Sequence, residues 1–227
     1  MIPDESLLNP RQPSEVPSGH AATPVTRRRG EALLRAIRHA VLLELGEYGY
    51  SAFRIEGVAA RAHTGKASIY RRWSDKDQLI LDTLRGGVPS GPPPRYSGDL
   101  RSDLIDMLTG MADGLQSPFG PAFRALLAET HRRPDLLEAL HEVAFDPGAA
   151  GVRQVLRAAA EAGEIDPALV DGEAATFGHQ MTTFRYITTG QVSADEIVSI
   201  VDQMWLPALR YTPRPSLRQG SSRAVEV

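Results

Sequence analysis

The chain of 227 residues contains no cysteine. That excludes a disulfide scaffold, thiolate-bound zinc, iron–sulfur clusters and a cysteine nucleophile. No apolar run approaches the ~20 residues that a bilayer-crossing helix needs. The first residues hold prolines and acids but no apolar core of a secretory signal, so a soluble cytoplasmic protein is the expectation. Alternating strand patterns with hairpin turns are missing too. So are a glycine-rich phosphate loop after a strand, a nucleophile elbow and paired histidines on one helix. Asp135, Glu138 and His141 follow one another at three-residue steps. Such steps drift around a helix, and the set reads as an exposed face. No enzyme, no metal and no cofactor is expected.

What the chain has is an ordinary share of core-forming material: 42% hydrophobic and 23% charged residues. Its formal net charge is -3, which hides an asymmetry. Residues 24–86 carry 12 basic against 7 acidic side chains, whereas residues 87–227 carry 12 against 18. A basic module ahead of an acidic remainder suits a polyanion partner, although surface-charge fluctuation gives the same pattern.

Punctuation divides the chain. Residues 1–24 contain Pro3, Pro10, Pro13, Pro17 and Pro24 and little that packs, which predicts a disordered arm. Residues 87–98 hold Gly87, Pro89, Gly91 and Pro92-Pro93-Pro94, a linker between a module at 25–86 and a larger one at 99–211. Residues 212–227 read as a flexible tail. Apolar residues recur at three- and four-residue spacing: Leu33, Ile37, Ala40, Val41, Leu45; Leu100, Leu104, Met107, Leu108, Met111; Val152, Val155, Leu156, Ala159; and Ile197, Ile200, Val201, Met204, Leu206. The fold class is all-α, with about nine or ten helices and no internal repeat.

Residues 53–73 carry the sharpest signal. Ile55, Val58, Ala59 and Ala62 mark the inner face of a short helix, and His63-Thr64-Gly65 breaks it. A second short helix runs over about 66–73, with Ile69, Tyr70 and Trp73 able to face inward. Two short helices around a tight turn describe a helix-turn-helix. Lys66, Ser68, Arg71 and Arg72 then form a polar, cationic outer face of a size that fits the major groove. Arg71 and Arg72 read equally well as a solvated face, and Trp73 as core. Tyr70 suits a mixed role, ring buried and hydroxyl exposed.

The run Val58-Ala59-Ala60-Arg61-Ala62-His63-Thr64-Gly65-Lys66-Ala67-Ser68-Ile69-Tyr70-Arg71-Arg72-Trp73, continued by Ser74-Asp75-Lys76-Asp77-Gln78-Leu79-Ile80, resembles the recognition motif of the TetR family of bacterial transcriptional regulators. A helix over 27–48 matches that family's first helix, so the resemblance covers about residues 27–86. It implies a three-helix DNA-binding domain followed by a larger helical domain for ligand and dimerisation. The matching positions imply that Lys66 and Ser68 reach base edges, Thr64 and Gly65 approach a phosphate, and Tyr70 and Lys76 touch the backbone. Arg27, Arg28 and Arg29, placed ahead of the first helix, would enter the minor groove or track phosphates; a generic solubilising run is the other reading. Arg35 and Arg38 read as solvated. Two departures stand out. His63 occupies a position where the family has glycine and φ turns positive, so modest strain is expected. Phe53-Arg54 stands where a Thr or Ser N-cap is usual, and Arg54 would supply the phosphate contact as a charge.

For the larger domain the resemblance implies a pocket and a symmetric interface. Met107, Met111, Phe119, Phe123, Phe145, His179, Thr183 and Tyr186 are the candidate pocket residues, plain core being the alternative. Helices over about 167–189 and 193–211 match the pair that usually meets its twin. Phe177, Met181, Phe184, Ile197, Ile200, Val201, Met204 and Trp205 supply large side chains there, for a dimer interface or for the core of one subunit. The resulting expectation is a homodimeric, ligand-responsive repressor on a palindromic operator. Its partners would be double-stranded DNA, a second copy of the chain and a small-molecule inducer. The alternative is a small-molecule-binding helical protein without operator recognition.

Overall fold

The computed structural model describes residues 24–87 and 95–210; the arm, most of the linker and the tail expected from sequence lie outside these. Every regular element among them is helical. The helices are α1 (Pro24–Tyr48), α2 (Ile55–Arg61), α3 (Lys66–Tyr70), α4 (Lys76–Gly87), α5 (Leu100–Gln116), α6 (Phe119–Leu127), α7 (Pro134–Leu140), α8 (Asp146–Glu161), α9 (Phe177–Thr189), α10 (Ala194–Ile200) and α11 (Leu206–Arg210). A π-helical turn, His141–Phe145, joins α7 to α8 without a break, and a second, Val201–Trp205, joins α10 to α11. The described residues therefore form nine continuous helical rods.

The stripe on α1 does what its spacing predicts. Ile37, Ala40, Val41 and Leu45 are all buried, against α2, α4 and α6. Gly49 ends the helix in the left-handed region (φ 73°), and its amide donates to the Leu45 carbonyl at 2.9 Å. Arg27, Arg28 and Arg29 lie within α1 rather than ahead of it, because the helix already starts at Pro24; their side chains lie outside the described set. Arg38 is not solvated. Its guanidinium donates to the Gly86 carbonyl at 2.7 Å and pairs with Asp82 at 3.3 Å, which ties α1 to α4.

In the larger domain, α5 is the hub, with α6, α8, α9 and α10 packed around it. Asp99 caps α5 by accepting from the Ser102 amide, and Ser193 with Glu196 forms a capping box at the start of α10. Small residues permit the tightest approaches. A methyl built on Gly178 of α9 would overlap the indole of Trp205, whose N–H donates to the Ala174 carbonyl at 2.9 Å.

This packing corrects the interface expectation. Ile197, Ile200, Val201 and Trp205 are all buried inside one subunit, because α10 and its π-turn pack inward on α5 and α9. Phe177 and Met181 are only partly covered, and Phe184 (59% exposed) and Met204 (38%) stand out to solvent.

Candidate nucleic-acid interface and cavity

The helix-turn-helix is built from its inner face outward. Ile55, Val58 and Ala59 of α2, Ala62 just after it, Ile69 of α3 and Trp73 beyond it are buried; α3 ends at Tyr70, short of the 66–73 expected from sequence. The Thr64 amide donates to the Ala59 carbonyl at 3.0 Å, closing the turn. His63 takes φ 49°, the left-handed conformation expected where glycine is usual, and the fold accommodates it. Phe53 is buried, and Arg54 is the residue that precedes α2, extended and with no side-chain cap.

The outer face carries the polar residues. Arg54, Gly65, Lys66, Arg71 and Arg72 are exposed, and Thr64 and Ser68 are half-buried. Tyr70 does not turn inward: it is 50% exposed, because Ile69 and Trp73 already fill the space beneath α3. Lys76 is partly covered at the start of α4. Its ammonium lies 4.4 Å from the centre of the Tyr50 ring and 3.4 Å from the Tyr50 carbonyl.

Two carboxylates on this domain were not legible as partners from sequence. Glu44 is buried on α1 and accepts from Arg61 Nε at 3.1 Å; a methyl on Gly57 would overlap its carboxylate, so the glycine keeps α2 close. Glu56 on α2 accepts from Lys66 Nζ at 3.0 Å. That hydrogen bond holds the Glu56 carboxyl below, and the Lys66 ammonium above, its ordinary range. Both are therefore charged at neutral pH.

The larger domain holds a half-open cavity of about 1010 Å³. Met107 and Met111 of α5, Phe119 and Phe123 of α6, Phe145 of the first π-turn, and His179 and Thr183 of α9 all line it. Tyr186 does not: it is buried in the core, its hydroxyl against Gly120 where α6 begins. His141, Phe145, Phe123 and Phe119 form a chain of ring contacts with centres 5.1, 5.9 and 5.8 Å apart. Burial holds the His179 imidazole below its ordinary range, so the wall there is neutral. Arg95, Asp103, Asp106 and Gln154 also border the cavity; an apolar periodicity gives no signal for charged positions such as Asp103 and Asp106, which lie on α5 among its apolar residues. Among the described residues no group of three or more His, Asp or Glu is placed to hold a metal ion, and no helix is long and apolar enough to cross a membrane.

A basic helix-turn-helix mounted on a helical body that holds a cavity defines a class: one-chain transcriptional regulators that join a DNA-reading head to a second domain. Comparison with known proteins gives the family. Residues 37–83 match the family model described as bacterial regulatory proteins of the tetR family, and residues 94–204 match the tetracyclin repressor-like C-terminal domain. An uncharacterised helix-turn-helix-type transcriptional regulator of Mycobacterium bovis is 31% identical over 73% of this chain and 82% of its own length. The DNA-binding transcriptional repressor TetR of Mycobacteroides abscessus is 29% identical over 80% of this chain and 96% of its own. Among solved structures, a TetR family transcriptional regulator from Pseudomonas syringae pv. tomato superposes with a TM-score of 0.59 at 22% identity, covering 81% of this chain and 96% of that one. The chain belongs to the TetR family and is a helix-turn-helix transcriptional regulator.

Proposed function

We propose that the protein is a repressor that binds a palindromic operator as a homodimer and is released by an apolar small molecule entering the cavity of the larger domain. In this reading Lys66 and Ser68 meet base edges, and Arg54, Thr64, Gly65, Tyr70, Arg71 and Lys76 meet the sugar–phosphate backbone. Arg27, Arg28 and Arg29 add phosphate contacts. The observation that carries it is the outer face of α3: its polar residues are presented outward by a fully apolar underside, Ile69 and Trp73. The partly exposed apolar face of α9 and the second π-turn, Phe177, Met181, Phe184 and Met204, supports self-association. Two reading heads must sit about 34–36 Å apart to take successive major grooves from one side. The cavity supports the ligand. Its volume is at the upper end of the usual range for small-molecule sites, and its wall is mainly apolar, with Arg95, Asp103, Asp106, Gln154, His179 and Thr183 as its polar groups. In this reading the protein works in the cytoplasm, where its operator would lie.

The test is footprinting of the purified protein on the DNA flanking its own coding region, with sedimentation analysis of the complex. An inverted repeat protected by a dimer is the expected result. Ligand binding without site-selective retention of DNA would instead establish a small-molecule-binding protein that reads no operator.

A further inference from the structure

The reading helix does not present Lys66 as a free cation. Its ammonium sits 3.0 Å from Oε1 of Glu56, which projects from α2, and both side chains are more than half exposed (55% and 59%). A carboxylate in the first turn of α2 suits the helix N-terminus, but that does not require a pair with Lys66, and an exposed ion pair of this kind contributes little to stability. A negative charge beside the leading cation also weakens attraction to phosphates. A carboxylate there is explained by what it can accept from.

We infer that Glu56 is a specificity-determining residue of the operator contact, and that Glu56 and Lys66 together read one G·C base pair. The chemistry of the groove edge carries this. Guanine offers two acceptors, O6 and N7, to a lysine, and the cytosine paired with it offers an N4 amino donor to a carboxylate. Those two edges are neighbours on one base pair. The ammonium and carboxylate are neighbours on the protein, within one hydrogen bond of each other. When Lys66 turns to guanine, Glu56 keeps its carboxylate beside it and accepts from cytosine N4. Against DNA of the wrong sequence the carboxylate finds no donor and faces phosphates, so it lowers non-specific affinity and widens the ratio between operator and random duplex. The inference rests on α3 being the reading helix, as proposed above.

Selection from a library of randomised duplexes tests it, with the wild-type chain, Glu56→Gln, Glu56→Ala and Lys66→Ala compared. The wild type is expected to enrich a G·C pair at one step of each half-site. Both Glu56 variants lose the preference for G·C over the other three base pairs at that step by about 5- to 100-fold. They also bind random duplex about 2- to 5-fold more tightly at low salt. Lys66→Ala loses guanine at the same step. Selection of the same half-site by the Glu56 variants, at an unchanged ratio of operator to random affinity, overturns the inference and leaves the operator reading intact; Glu56 is then a plain ion-pair partner. A wild-type pool enriched for A·T at that step also overturns it. A wild-type pool with no enriched half-site overturns both.

Discussion

The phenol of Tyr50 donates a 2.6 Å hydrogen bond to Oδ1 of Asp77, and the other oxygen of Asp77 pairs with Arg133 at 3.0 Å. Tyr50 follows α1, Asp77 lies in the first turn of α4, and Arg133 precedes α7. Arg133 also stacks toward the Tyr50 ring, 5.2 Å from its centre, and forms a bidentate pair with Asp135. Three segments from two domains thus meet on one aromatic ring, beside the lysine expected to touch phosphate.

Tyr50→Phe is expected to lower stability by about 1.5–3 kcal/mol, the range for a hydrogen bond to a charged acceptor. The ring and its two cations stay in place. Urea unfolding checks this as a shift in midpoint with unchanged slope. In an Asp77→Asn background the same substitution should cost measurably less, since the charged acceptor is gone. Equal costs in both backgrounds would show that the phenol is not bonded to Asp77.

Lys76→Ala should weaken operator and random duplex alike and lower the salt slope of binding by about one. The lysine is held at its position by the Tyr50 ring and carbonyl, so its contribution to DNA is a placed charge rather than a base contact. A fluorescence anisotropy titration at several salt concentrations measures both effects. A changed sequence preference, or an unaltered slope, would remove Lys76 from the phosphate contacts.

His179 gives the fold a pH dependence distinct from that of its carboxylates. Its folded pKa is depressed by burial, so the folded protein holds the neutral ring and the unfolded chain takes up the proton first. Stability from this source is complete above the unfolded value, about 6.5, and declines as the pH falls toward the lower folded value. Glu47, Glu56, Asp135 and Asp202, each held below its ordinary range by an arginine, lysine or tyrosine partner, add losses only in the more acidic carboxylate range. His179→Gln should therefore flatten the stability profile just below about pH 6.5 and leave the steeper acid limb. Denaturant midpoints across that interval decide it; an identical decline in the variant would assign the titration elsewhere.

What could be read from the sequence follows a physical line. Wherever a side chain's role depends on its own helix, spacing placed it: Ile69 and Trp73 lie under α3, and Met107 and Met111 share one cavity wall. The positive φ at His63 was legible only through the family resemblance, which has glycine at that position of the turn. Roles that depend on which neighbour arrives first were not. Ile197, Ile200, Val201 and Trp205 have the size and spacing of an interface row, but α9 and α5 reach them inside the subunit. Tyr70 has the apolar body of a core residue, yet Ile69 already fills the site. Glu56 lies ten residues from Lys66, and no periodicity joins positions on two helices across a turn.

The burial of that row leaves a narrower candidate surface for self-association. Phe184 and Met204 remain exposed, and Met204 shares a shallow groove with Phe177, Gln180 and Ala208. Soluble monomers seldom leave such large apolar side chains clustered. Burial against a second copy returns about 25 cal/mol for each Å² of apolar area removed from water, and a central phenylalanine is the kind of residue that dominates an interface. The double substitution Phe184→Glu with Met204→Glu places charges on that surface and touches none of the buried row. It should leave helicity and the unfolding midpoint of the subunit nearly unchanged, since exposed positions tolerate substitution within about 0.5 kcal/mol. In sedimentation equilibrium the variant should run at the mass of one chain where the wild type, as the proposed homodimer, should run at two. Operator affinity should fall by at least 100-fold, because two half-sites then bind independently and the gain from linked binding, about 10²–10⁴, is lost. Ile200→Ala, by contrast, should cost about 2–5 kcal/mol of subunit stability, as the removal of a buried side chain does. A variant that stays dimeric with glutamates at 184 and 204 would place the interface on another face of the larger domain.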